Sequence, residues 1–289
     1  MDPTFDLQSH SRWSDGELPP AGVVAAAAAA GVELLALTDH DAVDGVDEAL
    51  ASGAEHGVRV VAAAELSALD GAREDLHLCA YLIDHHAPAF VAALREFRAD
   101  RNARGERMLA ALAECGFALD RGAVDARAAG GSAVGRPHLA RAVWDHPDNR
   151  ARLESEGLAG LGGVLEAYLV PGAPAYHRRT IPTVAEAIDV IHDAGGLAVW
   201  AHPFWDLDED AAVLDATDRF AAMGLDGVEC FYVTHTEAQT RLVAGHCEQH
   251  GLLTTGSADF HGPEHQLFDR FRAFSTYDLT PRLGPIVEA

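Results

Sequence analysis

Seven short runs of apolar and β-branched residues recur along the chain, at 5–7, 33–37, 58–62, 76–82, 197–200, 227–232 and 252–255. Between many of them apolar positions return with helical spacing, at 20–30, 44–56, 184–194 and 237–250. Strand alternating with helix predicts an α/β fold, a parallel sheet covered by helices. Seven strands favour a barrel over a short open sheet, although periodicity alone does not decide between them. The alanine run 25–30 is bracketed by Pro19-Pro20 and Gly31. Proline in the first turn and glycine just past the end punctuate a soluble helix.

Residues 85–180 break this rhythm. The stretch 87–115 reads as largely helical with arginines on one face. A Gly/Ala-rich stretch follows at 128–133, then a helix from Pro137 and a loop with Pro171 and Pro174. The expected organisation is a barrel from 1–84 and 181–289, with a helical insertion subdomain at 85–180 after the fourth strand.

Composition narrows the partners. A chain of 289 residues with 48% hydrophobic content can bury a full core. Its formal net charge is −24, and its 21 basic residues are all arginines. Such a surface repels long nucleic acids. A small phosphorylated substrate remains compatible, because a few arginines or metals can set the local sign. The four cysteines (79, 115, 230 and 247) are far apart with no C-x-x-C pair, which argues against a disulfide scaffold or a zinc finger. No basic segment precedes an apolar stretch at the start, and no apolar run approaches the ~18 residues of a membrane span. A cytoplasmic protein without a membrane partner is expected; oligomeric state is left open.

The chemistry gathers just after the strands. Asp39-His40-Asp41 follows the second run, Glu65 the third, His202 the fifth, and Asp259 and His261 the last. In α/β barrels, residues at the carboxyl ends of strands converge on one site. The candidate cluster is His10, Asp15, His40, Glu65, His77, His202, Asp259 and His261. Imidazole suits zinc, iron or manganese, and carboxylate suits manganese or magnesium. Gln8 and His10 are two apart, as are Asp259 and His261, so each pair can face one pocket if extended. Of the 16 histidines, the others read mostly as surface or structural residues, including His85, His86, His192, His246 and His250, and also His235 near a strand end. Asp39 and Asp41 are expected to orient His40. A helix beginning at Pro137 would offer free N–H groups beside Arg136, a natural phosphate seat. Trp200, Phe204 and Trp205 flank His202, where an aromatic serves either the core or a stacked base.

The segment Asp6-Leu-Gln-Ser-His-Ser-Arg-Trp-Ser-Asp-Gly16, followed by Thr38-Asp-His-Asp41, resembles the opening motifs of the PHP (polymerase and histidinol phosphatase) domain. Glu65, Leu76-His-Leu78, Ala201-His-Pro203 and Ser257-Ala-Asp-Phe-His-Gly262 resemble its later motifs, in order over nearly the whole chain. Gly135-Arg-Pro-His138 resembles a segment of the branch acting on nucleotides. The resemblance implies a distorted (β/α)7 TIM-like barrel with two or three divalent metals (Mn, Zn, Fe or Mg). It groups Gln8, His10, Glu65 and Asp259 on one metal. Asp15, His40 and His261 fall on a second, and Glu65, His77 and His202 on a third. It gives Asp15, His40, Glu65, Asp259 and His261 catalytic roles, and Arg136 and His138 a part in binding substrate. Arg178 and Arg179 could also reach the mouth of the cleft. The implied activity is hydrolysis of a phosphate ester of a small nucleotide, a nucleoside 3′,5′-bisphosphate or short oligonucleotide, by metal-activated hydroxide.

The family usually has histidine where Gln8 stands, so a weaker first site, more tolerant of Mn or Mg than of Zn, is expected. Two alternatives remain. One is a phosphatase of a non-nucleotide metabolite such as histidinol phosphate. The other is a nucleotide-binding protein whose metal content Gln8 has reduced. Carbon–nitrogen hydrolysis on a related barrel often needs a carboxylated lysine, which this chain cannot supply.

Overall fold

The computed structural model describes residues 3–71, 73–129 and 134–288; most of the Gly/Ala-rich stretch at 128–133 lies outside them. Seven strands form one sheet in sequence order: β1 (Phe5–Asp6), β2 (Leu34–Leu37), β3 (Arg59–Asp70), β4 (Arg73–Tyr81), β5 (Leu197–Trp200), β6 (Gly227–Tyr232) and β7 (Leu253–Ser257). The sheet nearly closes on itself. Leu7 N–H donates to the Gly256 carbonyl at 3.2 Å, and Ser9 bridges Phe260 in parallel. The α/β barrel expected from the sequence is the fold of the larger unit.

The sheet is not parallel throughout. β4 runs antiparallel to both β3 and β5. Gly71, at φ +60°, opens the reversal after β3. So short a connection leaves no room for the crossover helix that a parallel partner needs. β3 also extends to Asp70, well beyond the apolar run at 58–62.

The helices obey local signals. Helix α1 (Pro20–Ala29) starts at a proline and is followed by Gly31 at φ +78°. Helix α2 (Val46–His56) ends at Gly57 in the left-handed region. Leu35 and Leu37 of β2 pack with Val23, Val24 and Ala27 of α1 and Ala49 of α2. The opposite face of the sheet supplies a different cluster, with Ala36, Val61, Ala63, Cys79, Tyr81 and Val199. That face carries function. Along β3 it reads Val61, Ala63, Glu65 and Ser67, and the register sets these beside Tyr81, Cys79 and His77 of β4. Because β4 is reversed, its amino half lies at the rim where β3 presents Glu65.

The chain divides into two compact units, Met1–Leu94 with Pro182–Ala289, and Arg95–Ile181. The larger unit also holds helices where the spacing at 184–194 and 237–250 predicts them. Thr183 and Glu186 cap Val184–Asp193 reciprocally, and Thr236 and Gln239 cap Glu237–His250. The smaller unit is helical, with Met108, Leu109, Leu112, Leu139, Val143 and Leu169 in its core. There the Arg152 guanidinium lies 3.9 Å from the Phe117 ring centre. Among the described residues, no helix is long and apolar enough to cross a membrane.

The β1–β7 seam depends on buried Asp6, whose Oδ1 accepts the Ala258 N–H (2.9 Å) and whose Oδ2 accepts the Arg272 N–H (2.8 Å). Asp6→Ala would orphan both amides, at about 1–3 kcal/mol each. A chemical-denaturation midpoint lowered to match is the expected result; an unchanged midpoint would show that the seam does not need this carboxylate.

Candidate metal centre

Glu65 has no exposed surface. Its Oε2 lies 3.1 Å from His10 Nε2 and 3.3 Å from His40 Nδ1. Its Oε1 lies 2.9 Å from His77 Nδ1 and 3.3 Å from His202 Nε2. Around this centre, Asp259 Oδ1 is 3.0 Å from His10 Nε2. Asp15 is 3.5 Å from each of His10 Nδ1, His40 Nε2 and His261 Nε2. All eight residues of the sequence cluster are therefore brought together. Gln8 is fully buried, with neither amide atom hydrogen-bonded.

Each residue is placed by its element. His10 and Asp15 ride on the loop after β1, His40 follows β2, and Glu65 and His77 share the inner face of the β3–β4 hairpin. His202 follows β5 in a left-handed conformation (φ +30°), with Pro203 behind it starting a single helical turn. Asp259 is also left-handed (φ +55°), so Asp259 and His261 converge through a bent loop rather than the extended alternation expected. The His261 Nδ1 lies 2.6 Å from the Asp259 carbonyl. A carbonyl only accepts, so Nδ1 carries the hydrogen and Nε2 keeps its lone pair.

Asp39 does something other than expected. Its carboxylate accepts the Ser11 N–H (2.7 Å) and the hydroxyls of Ser11 and Ser14 (both 2.6 Å). It thus fixes the loop that carries His10 and Asp15. Gly16 closes that loop, where a side chain would collide with the His10 carbonyl. Asp41 Oδ1 accepts the Ser67 N–H at 3.1 Å, and the Asp41 N–H donates to the Glu65 carbonyl at 2.8 Å. Both aspartates brace neighbouring segments of the site.

Four further residues escaped the sequence reading. Tyr232 donates from its hydroxyl to Asp259 Oδ2 (2.8 Å) and lines the cavity; it ends β6, so the strand-end rule could have found it. Glu229, an acid inside a buried strand, accepts the His202 N–H at 2.9 Å, and burial pushes its pKa up to about 8. Phe268 lines the cavity from an irregular segment with no periodic signal. Ser14 holds Asp39.

The donor set fits divalent cations. His10 Nε2, His40 Nδ1, Glu65 Oε2 and Asp259 Oδ1 are buried close together, yet none has a hydrogen-bond partner of acceptable geometry. Native interiors rarely leave such groups unsatisfied. Ligands about 2.1 Å from a tetrahedral ion stand roughly 3.4 Å from one another, close to the separations here. Two groups satisfy the spacing directly: His10, Asp15, His40 and His261, and then His40, Glu65 and His77.

The electrostatics agree. Burial works against ionising Glu65, yet the imidazoles of His40 and His77 lead those that hold its carboxyl well below the usual range. Burial likewise opposes a charge on His10 and His202. Carboxylates outweigh it in both, raising His10 well above its ordinary value and His202 to about 9. Burial prevails at His40, which falls to about 4.

Arg136, His138, Arg178 and Arg179 belong to the smaller unit. Arg136 begins the helix Arg136–Trp144, and His138 Nδ1 accepts the Gly135 N–H at 3.0 Å, closing its first turn. Arg178 is exposed, whereas Arg179 is buried with Nε 3.8 Å from Asp100.

A barrel with carboxylates and imidazoles converging at one rim defines a metal-dependent hydrolase. The PHP domain profile matches residues 6–118. The chain is 34% identical to a 3′,5′-nucleoside bisphosphate phosphatase of Chromobacterium violaceum, over 98% of this chain and 94% of that protein. It is 30% identical to a 5′-3′ exoribonuclease of Haemophilus influenzae, over 91% and 92%. A solved Chromobacterium violaceum structure, described as an amidohydrolase with bound sulfate and no metal, superposes with a TM-score of 0.77 at 31% identity, covering 99% of this chain and 95% of that one. The chain belongs to the PHP family, and it is a metal-dependent phosphoesterase.

A cation that took His10 and His202 as ligands would displace the protons that the carboxylates favour on them. Both imidazoles are held more basic than usual, so affinity should climb as pH rises toward about 9, where His202 titrates. Calorimetric titration of metal-free protein with Mn²⁺ at pH 7, in two buffers of different ionisation enthalpy, should register release of about one proton or more per chain. Equal heats in both buffers would contradict this protonation pattern.

Proposed function

We propose that the chain hydrolyses a phosphate ester of a small nucleotide, a nucleoside 3′,5′-bisphosphate or a short oligonucleotide. The observation that carries this reading is Glu65, which turns one oxygen to His10 and His40 and the other to His77 and His202. In our assignment this cage would hold two or three divalent cations, with Glu65 shared between two of them. Gln8, His10, Glu65 and Asp259 would hold one, Asp15, His40 and His261 a second, and Glu65, His77 and His202 a third.

Gln8 departs from the histidine usual in the family. A carbonyl oxygen is a harder ligand than imidazole, so we assign manganese or magnesium to its position ahead of zinc. Bound here, divalent cations would acidify a water and offset negative charge on the phosphoryl oxygens.

The chain's own groups prepare that chemistry. Tyr232 holds Asp259 Oδ2 by its hydroxyl and leaves Oδ1 facing the cage. The Asp259 carbonyl fixes the His261 tautomer so that Nε2 faces Asp15. Asp39 keeps the His10–Asp15 loop in register, in the way outer-shell partners tune metal ligands. Arg136 and His138, with Arg178 and Arg179 in lesser roles, are assigned to the substrate's phosphates.

The small nucleotide is supported by the names of the similar proteins and by the net charge of −24, which disfavours long polyanions.

With added Mn²⁺, the purified protein should release phosphate from adenosine 3′,5′-bisphosphate, and EDTA should abolish the release. Glu65→Gln should cost more than the roughly 10–100-fold typical of losing an outer-shell partner. A fully metallated protein that is silent on this substrate yet active on metabolite phosphates such as histidinol phosphate would overturn the nucleotide assignment.

A further inference from the structure

The cavity at the cage measures about 130 Å³, well below the roughly 300–1,000 Å³ of a pocket that encloses a drug-sized ligand. A nucleotide whose phosphate entered the cage would keep its sugar and base at the rim.

The rim is chemically uneven. Most of the lining is imidazole and carboxylate, but one side is the apolar pair Trp205 and Phe268, with ring centres 5.9 Å apart. Trp205 is 54% exposed, the most of any large hydrophobic residue described, and the one among those exposed residues that lines the cavity. Its two aromatic neighbours in sequence are occupied elsewhere. Trp200 is fully buried against Phe220, and Phe204 packs against His235.

The indole is anchored to the cage by its backbone. His202 takes a left-handed conformation, Pro203 starts the turn, and the Trp205 N–H donates to the His202 carbonyl at 2.8 Å. The turn that aims His202 at Glu65 thereby also sets the base of the indole. Phe268 is tied in from the other side, stacked on His265 (5.0 Å, 20°) and tilted against His261 (5.2 Å).

We propose that Trp205, backed by Phe268, is the platform on which the substrate's nucleobase stacks while its phosphate enters the cage. This rests on the nucleotide reading above. A flat π-face selects for an aromatic ring, and stacking on it tolerates any base.

The test is direct binding to the metal-loaded protein, independent of turnover, using adenosine 5′-monophosphate and inorganic phosphate. The nucleotide should bind more tightly than phosphate. Trp205→Ala should remove that advantage by about tenfold, within the range that base–aromatic stacking supplies, and Trp205→Phe should retain most of it. Phosphate affinity in each variant reports whether the cage has kept its shape. Equal losses for both ligands, or a wild-type protein that binds the nucleotide no better than phosphate, would overturn the platform. Either outcome leaves phosphoester hydrolysis itself to be judged by phosphate release.

Discussion

One buried carboxylate between four imidazoles sets the terms for the rest of the molecule. Taking an ion such as Glu65 out of water costs several kcal/mol unless opposing charge surrounds it. His10, His40, His77 and His202 supply polarisable partners on both oxygens. They do so from four segments, which the chain must deliver to one point. The barrel is the device that delivers them, and the cations it is built to take would satisfy donors that the protein alone leaves unpaired.

The fold spends its irregularities there. The reversal at Gly71 turns β4 around, so that His77 can face Glu65 across a hairpin. Left-handed backbone at His202 and Asp259 points those side chains inward, at a conformational cost that surrounding contacts must offset. Glu229 accepts the His202 N–H, Asp39 gathers Ser11 and Ser14, and Tyr232 holds Asp259. Each narrows the freedom of a residue of the cage.

Much of this could be read from the chain before any coordinates. The seven apolar runs located the strands, and polar residues just beyond them located His40, Glu65, His202, Asp259 and His261. His77 sat within a run, and its reason became visible only with the antiparallel β4, because hydrophobic periodicity is blind to strand direction. Asp39 was singled out for the wrong partner, since spacing puts it beside His40 whereas folding puts it against a loop 28 residues earlier. Glu229 hid in an apolar strand, and Phe268 in a segment without period. Such contacts come from tertiary closure, which local pattern does not encode.

The central claim is that Glu65 would be shared between two divalent cations. The most direct measurement is metal content per chain by elemental analysis, after reconstitution with Mn²⁺ and removal of free ion, for the wild type and Glu65→Gln side by side. The account predicts two or three ions in the wild type, with a marked fall when the bridging charge is removed. Fewer than two ions in the wild type, or a variant that retains the full complement, would contradict it.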